Sequence, residues 1–366
     1  MRSFIIFLKI LLKVEVGALL NQYTAITTKI RGMRGKLLKK DDYINLSYLS
    51  SEGEIASYLK RHPGYQYILE NVVENKITRV ELEGLLNSSI YEDYNKLFRF
   101  ANFKQRKFLQ IHAITYEVVV LKKFLRRAFN VDEIYQEVGN EFLSFLSRRS
   151  RLDLKTLQNA KTLQQFREAL VGSRYYRPLK FLERIENPTL FDYETALDTY
   201  AFTVIWQEKN KLIDNRERKT FEKIYGTQFD LLNIVFIFRY KMFYDLPAEQ
   251  IASLLIPINF RMKPDKITQL LEARNEDEFW RIIETTVYAR RLGDFRDEKN
   301  LDKLYENLMD EVIRGREKEE PYSAATMYAY LHDKEKEVSL ITRIIEAIHY
   351  GRNKTRIQQV INQKFE

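Results

Sequence analysis

The chain has no cysteine in 366 residues. That excludes disulfide staples, thiolate zinc sites, iron–sulfur clusters and cysteine nucleophiles, and with them a small secreted scaffold. Turn formers are scarce as well: 12 glycines and 7 prolines, and no proline between Pro63 and Pro178. A β protein of this length needs many tight turns built with such residues, so the sparse punctuation predicts an all-α protein of long helices and short connections. Histidine is limited to His62, His112, His332 and His349, none of them in a His-Glu-x-x-His zinc motif. Glu346 and His349 have Glu-x-x-His spacing, but a di-iron bundle needs two such copies.

Long apolar runs are missing too. In Met1 to Leu20 the uncharged run Ser3–Leu8 is six residues long before Lys9, Lys13 and Glu15 interrupt it. A spanning helix needs about 20 predominantly apolar residues. A signal peptide fits poorly, because charges sit inside the run and no A-x-A-like site follows. The segment reads as an amphipathic first helix packed on the body, with a helix lying at a membrane surface as the alternative.

What is present is an ordinary globular composition, 45% hydrophobic and 30% charged, with 60 basic against 51 acidic residues and a net charge of +9. That sign suits nucleic acid, an anionic membrane surface or acidic protein partners alike. The phosphate-loop, dinucleotide-turn and nucleophile-elbow motifs are all absent. The sequence therefore points to no catalytic, cofactor-binding or metal-binding residue.

Self-comparison is more informative. Leu157, Ala160, Thr162, Gln165, Phe166, Leu170, Ser173 and Tyr175 recur 113 positions later as Leu270, Ala273, Asn275, Glu278, Phe279, Ile283, Thr286 and Tyr288. An earlier copy, 111 positions before the first, comprises Leu46, Leu49, Ser51, Glu54, Ile55 and Leu59, with its tyrosine, Tyr65, one position late. Ser51, Thr162 and Asn275 are N-cap residue types, and Glu54, Gln165 and Glu278 stand three residues on. This is a capping-box spacing, in which the second side chain can reach back to the cap's own amide. A second pattern, an acid followed by apolar residues at +1, +4 and +8, occurs at Glu117, Asp230 and Glu337. It marks one stripe of an amphipathic helix, with the recurring acid expected to serve repeated helix geometry or a buried partner bond. A half-copy of the stripe stands at Ile26 and Ile30.

These repeats divide the chain into residues 1–17, an apolar extension, and three multi-helix lobes at 18–110, 111–220 and 221–366. Basic clusters stand at Arg31, Arg34 and Lys36, at Lys122, Lys123, Arg126 and Arg127, and at Arg148, Arg149 and Arg151. Most such charges are expected to be solvated or salt-bridged; a partner-docking patch at Lys122, Lys123, Arg126 and Arg127 is the sharper reading. A basic all-helical nucleic-acid-binding module is the alternative that the charge allows, although no binding-module signature accompanies it.

The stretches TKIRGMRGKLLKKDDYINL, FRYKMFYDLPAEQIASLLIP and PYSAATMYAYLHDKEKEVSLITRIIEAIHYG resemble the C subunit of the V/A-type ATPases, related to the d subunit of the vacuolar ATPase. The resemblance runs from about Asn21 onward, and residues 1–17 depart from the family's usual start. It implies a funnel-shaped, threefold pseudo-symmetric, non-catalytic rotor part with no cofactor of its own. Such a part is peripheral on the cytoplasmic face of the membrane and couples the proteolipid ring to the central-shaft subunits, in ion transport linked to ATP hydrolysis or synthesis. ATP would be bound by other subunits, and neither nucleic acid nor a small-molecule substrate is implied.

Overall fold

The computed structural model describes residues 22–130, 140–147, 150–184, 187–289, 301–351, 358 and 361. The extension 1–17, Arg148 and Arg149 lie outside the described residues. Among those described there is helix and loop but no strand, as the scarcity of turn formers requires.

The helices run in order as α1 (22–34), α2 (Lys40–Tyr48), α3 (Glu52–Arg61), α4 (Gln66–Leu69), α5 (Arg79–Phe100), α6 (Phe103–Ala128), α7 (Asn140–Ser147) and α8 (Leu154–Asn159). They continue as α9 (Leu163–Ala169), α10 (Tyr176–Phe181), α11 (Leu190–Leu212), α12 (Asn215–Phe221), α13 (Thr227–Met242), α14 (Ala248–Leu254) and α15 (Pro264–Glu272). The last three are α16 (Glu276–Glu284), α17 (Leu301–Glu319) and α18 (Ala324–His349). Two compact units comprise them. One contains Met1–Arg106, Lys123–Phe166 and Thr326–Glu366, the other Lys107–Lys122 and Arg167–Ala325. Among the described residues, no helix is long and apolar enough to cross a membrane.

The three repeated helix starts form as expected, with one difference. Ser51 Oγ accepts the Glu54 amide at 3.3 Å, Thr162 Oγ1 the Gln165 amide at 3.2 Å and Asn275 Oδ1 the Glu278 amide at 2.9 Å. The reciprocal bond does not go to the cap's own amide. Glu54, Gln165 and Glu278 accept instead from the residue before the cap, Ser50, Lys161 and Arg274, at 2.7, 2.8 and 2.9 Å. The cap backbone explains the shift. Ser51 and Asn275 are strongly extended, with φ of −149° and −154°, which swings their N–H out of reach. Where the cap φ is −87° or −73°, at Thr78, Asn102 and Thr189, the reach to the cap's own amide is made. Those three full capping boxes start the long helices α5, α6 and α11.

The paired apolar positions of the repeated starts, Ile55 and Leu59, Phe166 and Leu170, Phe279 and Ile283, are all buried. So are the stripes Val118, Leu121 and Leu125, then Leu231, Ile234 and Phe238, and finally Val338, Ile341 and Ile345. Asn130, two residues after α6, and Asn187, shortly before α11, have φ of 53°, the left-handed conformation that asparagine tolerates. Between α12 and α13 a π-helical turn, Glu222–Gly226, carries the chain onward without a break. Its last residue meets a ring. A Cβ on Gly226 would lie 2.4 Å from Phe260.

Gly226→Ala should therefore destabilise the second unit by about 1–3 kcal/mol, the usual cost of overpacking. In a double-mutant melt, Phe260→Ala should cancel most of the alanine's cost; additive losses would show that the two residues do not compete for one space.

Candidate functional site

The recurring acids are buried, and each meets a recurring tyrosine. Tyr175 donates its hydroxyl to Glu117 at 2.6 Å, Tyr288 to Asp230 at 2.7 Å and Tyr65 to Glu337 at 2.6 Å. In the first two pairs the tyrosine follows its acid by 58 residues, whereas Tyr65 precedes Glu337 by 272. The third pair is thus assembled from the chain's beginning and its end, both within the first unit. The late arrival of Tyr65 in its repeat does not prevent the bond.

Backbone amides complete two of these sites. Asp230 accepts from Phe260, Arg261 and Met262 at 3.0, 2.7 and 3.0 Å, and Glu337 accepts from Leu38 at 2.5 Å. Leu38 and Met262 stand at the same repeat position, 224 residues apart, as do Leu46 and Leu270. The corresponding position beside Glu117 is Arg149, outside the described residues. A buried carboxylate that accepts a phenol and an amide loses little by leaving water, because its lone pairs are occupied.

The Glu337 copy carries an addition. Lys334, one turn earlier on α18, is itself buried and puts Nζ 2.9 Å from Glu337 and 3.9 Å from the centre of the Tyr65 ring. Nearby, Tyr330 donates to Asp93 at 2.5 Å, and Lys96 lies 2.9 Å from the same carboxylate. Burial first, and the adjacent carboxylate second, push the hydroxyls of Tyr65, Tyr175, Tyr288 and Tyr330 well above the usual phenol range.

The other sequence candidates occupy ordinary places. Lys122 pairs with Asp198, and Arg127 donates to the Gln158 carbonyl at 2.8 Å. Lys123 is half-buried, and burial followed by the neighbouring Arg126 pulls its ammonium below the usual lysine range. Arg126 is exposed. His62 Nδ1 lies 3.2 Å from the Gly64 amide, His112 is buried 2.9 Å from the Tyr225 hydroxyl, His332 stacks on Tyr328, and His349 meets Glu52 at 2.7 Å. Among the described residues, no three His, Asp or Glu side chains are grouped to hold a metal ion.

An all-helical chain with three internally repeated carboxylate–tyrosine pairs defines a class of repeated helical scaffold. A family model described as ATP synthase (C/AC39) subunit matches residues 26–360, and the chain belongs to that family. It is 21% identical to the C subunit of the A-type ATP synthase of Methanosarcina barkeri over 73% of this chain and 71% of that protein. It is 23% identical to the protein of the same name from Thermococcus kodakarensis over 93% of this chain and 90% of that one.

Two experiments probe the pairs. Glu337→Gln strands the buried Lys334 charge and should cost about 3–5 kcal/mol, the range for breaking a buried ion pair. Glu117→Gln removes only charge assistance from a tyrosine bond and should cost about 1–2 kcal/mol in the same denaturant titration. Equal losses would mean that Lys334 draws no support from Glu337.

The pH dependence follows from the tyrosines. Unfolded phenols ionise near pH 10, and below that pH both states keep the proton, so the pairs contribute evenly. Above it the unfolded chain releases protons that the folded chain retains. Stability then falls with rising pH by about 1.4 kcal/mol per pH unit for each tyrosine. Tyr65→Phe, Tyr175→Phe and Tyr288→Phe should each reduce the slope above pH 10 by about one proton; an unchanged slope would show that the hydroxyl ionises freely in the fold.

Proposed function

We propose that this chain is the non-catalytic central-stalk subunit of a V/A-type rotary ATPase, coupling the membrane proteolipid ring to the central shaft during ion transport. Membership of the ATP synthase (C/AC39) subunit family carries the reading. The relatives' name, which makes them the C subunit of an A-type ATP synthase, agrees with it. In this reading ATP is bound by other subunits, and the chain works as a peripheral part on the cytoplasmic face of the membrane.

The physical support lies in how the repeats are fastened. A part that transmits torque must not open locally under load, and local opening begins where buried contacts are few. Each repeated long helix here is tied through a buried acid to a residue far away in sequence, and the third tie joins α18 to the first repeat. Three lobes, 18–110, 111–220 and 221–366, arranged as a threefold funnel would place the ties around one axis and leave a socket for a shaft. Positive charge suits an anionic leaflet or acidic neighbours.

Docking of an acidic partner by Lys122, Lys123, Arg126 and Arg127 belongs to the same proposal. Arg126 is its most accessible probe, being exposed on α6 where the other three are half-buried.

The full chain should bind purified shaft subunits and detergent-solubilised proteolipid ring, and failure to bind either would overturn the reading. Arg126→Glu should weaken assembly several-fold at low salt and flatten its salt dependence. Assembly and salt sensitivity identical to the parent would reject the patch and leave the coupler reading intact.

A further inference from the structure

The Glu337 copy contains a cavity of about 630 Å³ within the first unit, in the size range of small-molecule sites. Four lysines line it, from separate elements: Lys29 on α1, Lys36 in the turn after it, Lys96 on α5 and Lys334 on α18. The lining carboxylate is Asp93, and it is engaged by Tyr330 and Lys96. Among the described residues, neither Lys29 nor Lys36 is ion-paired; Lys29 Nζ rests 4.8 Å from the centre of the Phe100 ring. Met33, Leu37 and Pro63 give the cavity an apolar wall.

The repeat shows where this copy departs from the Asp230 copy. In the Asp230 copy, Phe260 fills the space against Gly226, so closely that a Cβ there would lie 2.4 Å from the ring. The residue at the Phe260 position in the Glu337 copy, 224 residues earlier, is Lys36, and its side chain is exposed. The shared amide bonds of Leu38 and Met262 fix that register. Lys334, three residues before its acid, likewise stands where the other copies have Thr227 and Ile114. A phenylalanine and a threonine in one copy are thus exchanged for two cavity-lining lysines in the other. Gly64 holds the floor in place: a Cβ on it would lie 2.3 Å from the Lys36 carbonyl.

We propose that this cavity binds a phosphate-bearing organic ligand, its phosphate between the Lys29, Lys36 and Lys96 ammoniums and its apolar part against Met33, Leu37 and Pro63. Lysine is a mobile point charge suited to phosphate oxygens from several directions, and with Lys96 beside Asp93 and Lys334 beside Glu337 the cavity keeps the charges of Lys29 and Lys36 in excess. Lys334 is committed to Glu337, so the phosphate charge falls to the other three lysines. The same phosphate chemistry could come from a soluble ester or a lipid headgroup. The site stands independently of the rotor reading.

Calorimetry on the isolated full chain would use 1-naphthyl phosphate and inorganic phosphate, and sedimentation would use phosphatidylglycerol vesicles with phosphatidylcholine vesicles as the neutral reference. The expected result is saturable 1-naphthyl phosphate binding at least tenfold tighter than inorganic phosphate, weakening as salt rises. Lys29→Glu with Lys36→Glu should weaken it at least tenfold, and Lys36→Phe, which copies Phe260, should abolish it with melting unchanged. Lys155→Glu, outside the cavity, should leave it intact. Binding to phosphatidylglycerol vesicles alone, lost in the same variants, would support the site and assign its phosphate to lipid. Binding neither to 1-naphthyl phosphate nor to phosphatidylglycerol vesicles, equal affinity for both soluble phosphates where they bind, or binding untouched by Lys36→Phe would overturn the proposal.

Discussion

A buried carboxylate is an expensive element unless its lone pairs are filled, and the architecture of this chain is organised around filling them three times. Each acid stands on the inner side of a long helix, immediately before the apolar stripe that packs the helix. Once that stripe is buried, the acid is carried inward with it and must meet a donor. The donor is the tyrosine that follows the repeated capped helix, so the acid fixes the position of that helix and of the turn beyond it. Apolar contact alone would tolerate sliding by a turn, whereas a 2.6–2.7 Å hydrogen bond to a buried phenol admits one register.

The closing pair has a different consequence from the other two. Glu117–Tyr175 and Asp230–Tyr288 each tie segments that follow one another along the chain. Glu337–Tyr65 instead joins the last long helix to the first repeat, so the first unit cannot complete its core until the C-terminal helix has arrived. Contacts of such sequence separation slow folding and are lost together on unfolding. This is also the pair reinforced by Lys334. An added buried charge is weak evidence for stability but can specify one arrangement among similar ones. With three related tyrosines available to three related acids, the lysine that among the described residues pairs with Glu337 alone of the three distinguishes that copy from the others.

Much of this was legible in the sequence. The helical class followed from absent turn formers, and the capped starts and stripes from their spacing. The acids at Glu117, Asp230 and Glu337 stood out by recurring, and so did Tyr175 and Tyr288. What spacing could not supply was the pairing, because Tyr65 and Glu337 are related through the closure of the repeat and not by a fixed interval. Nor could it supply the cap geometry. Ser51 and Thr78 have the same box chemistry, yet a backbone φ of −149° against −87° decides which amide the following glutamate can reach. The roles of Lys334 and Lys36 were hidden for the opposite reason: both are departures from the repeat, and periodicity reveals only what is repeated.

That asymmetry carries the functional argument further than the repeat itself. Positions that recur are held by the common demands of packing, and they say what each copy needs in order to fold. Positions where one copy departs from its siblings, at a cost its siblings do not bear, need a separate reason. Burying Lys334 is a cost of this kind: the Asp230 copy has Thr227 at that position, and it has Phe260 packed against Gly226 where the Glu337 copy has Lys36 at the cavity. A closed, uncharged core would serve a purely mechanical part at least as well. The open, lysine-lined copy is therefore where a task beyond holding the scaffold's own shape would reside.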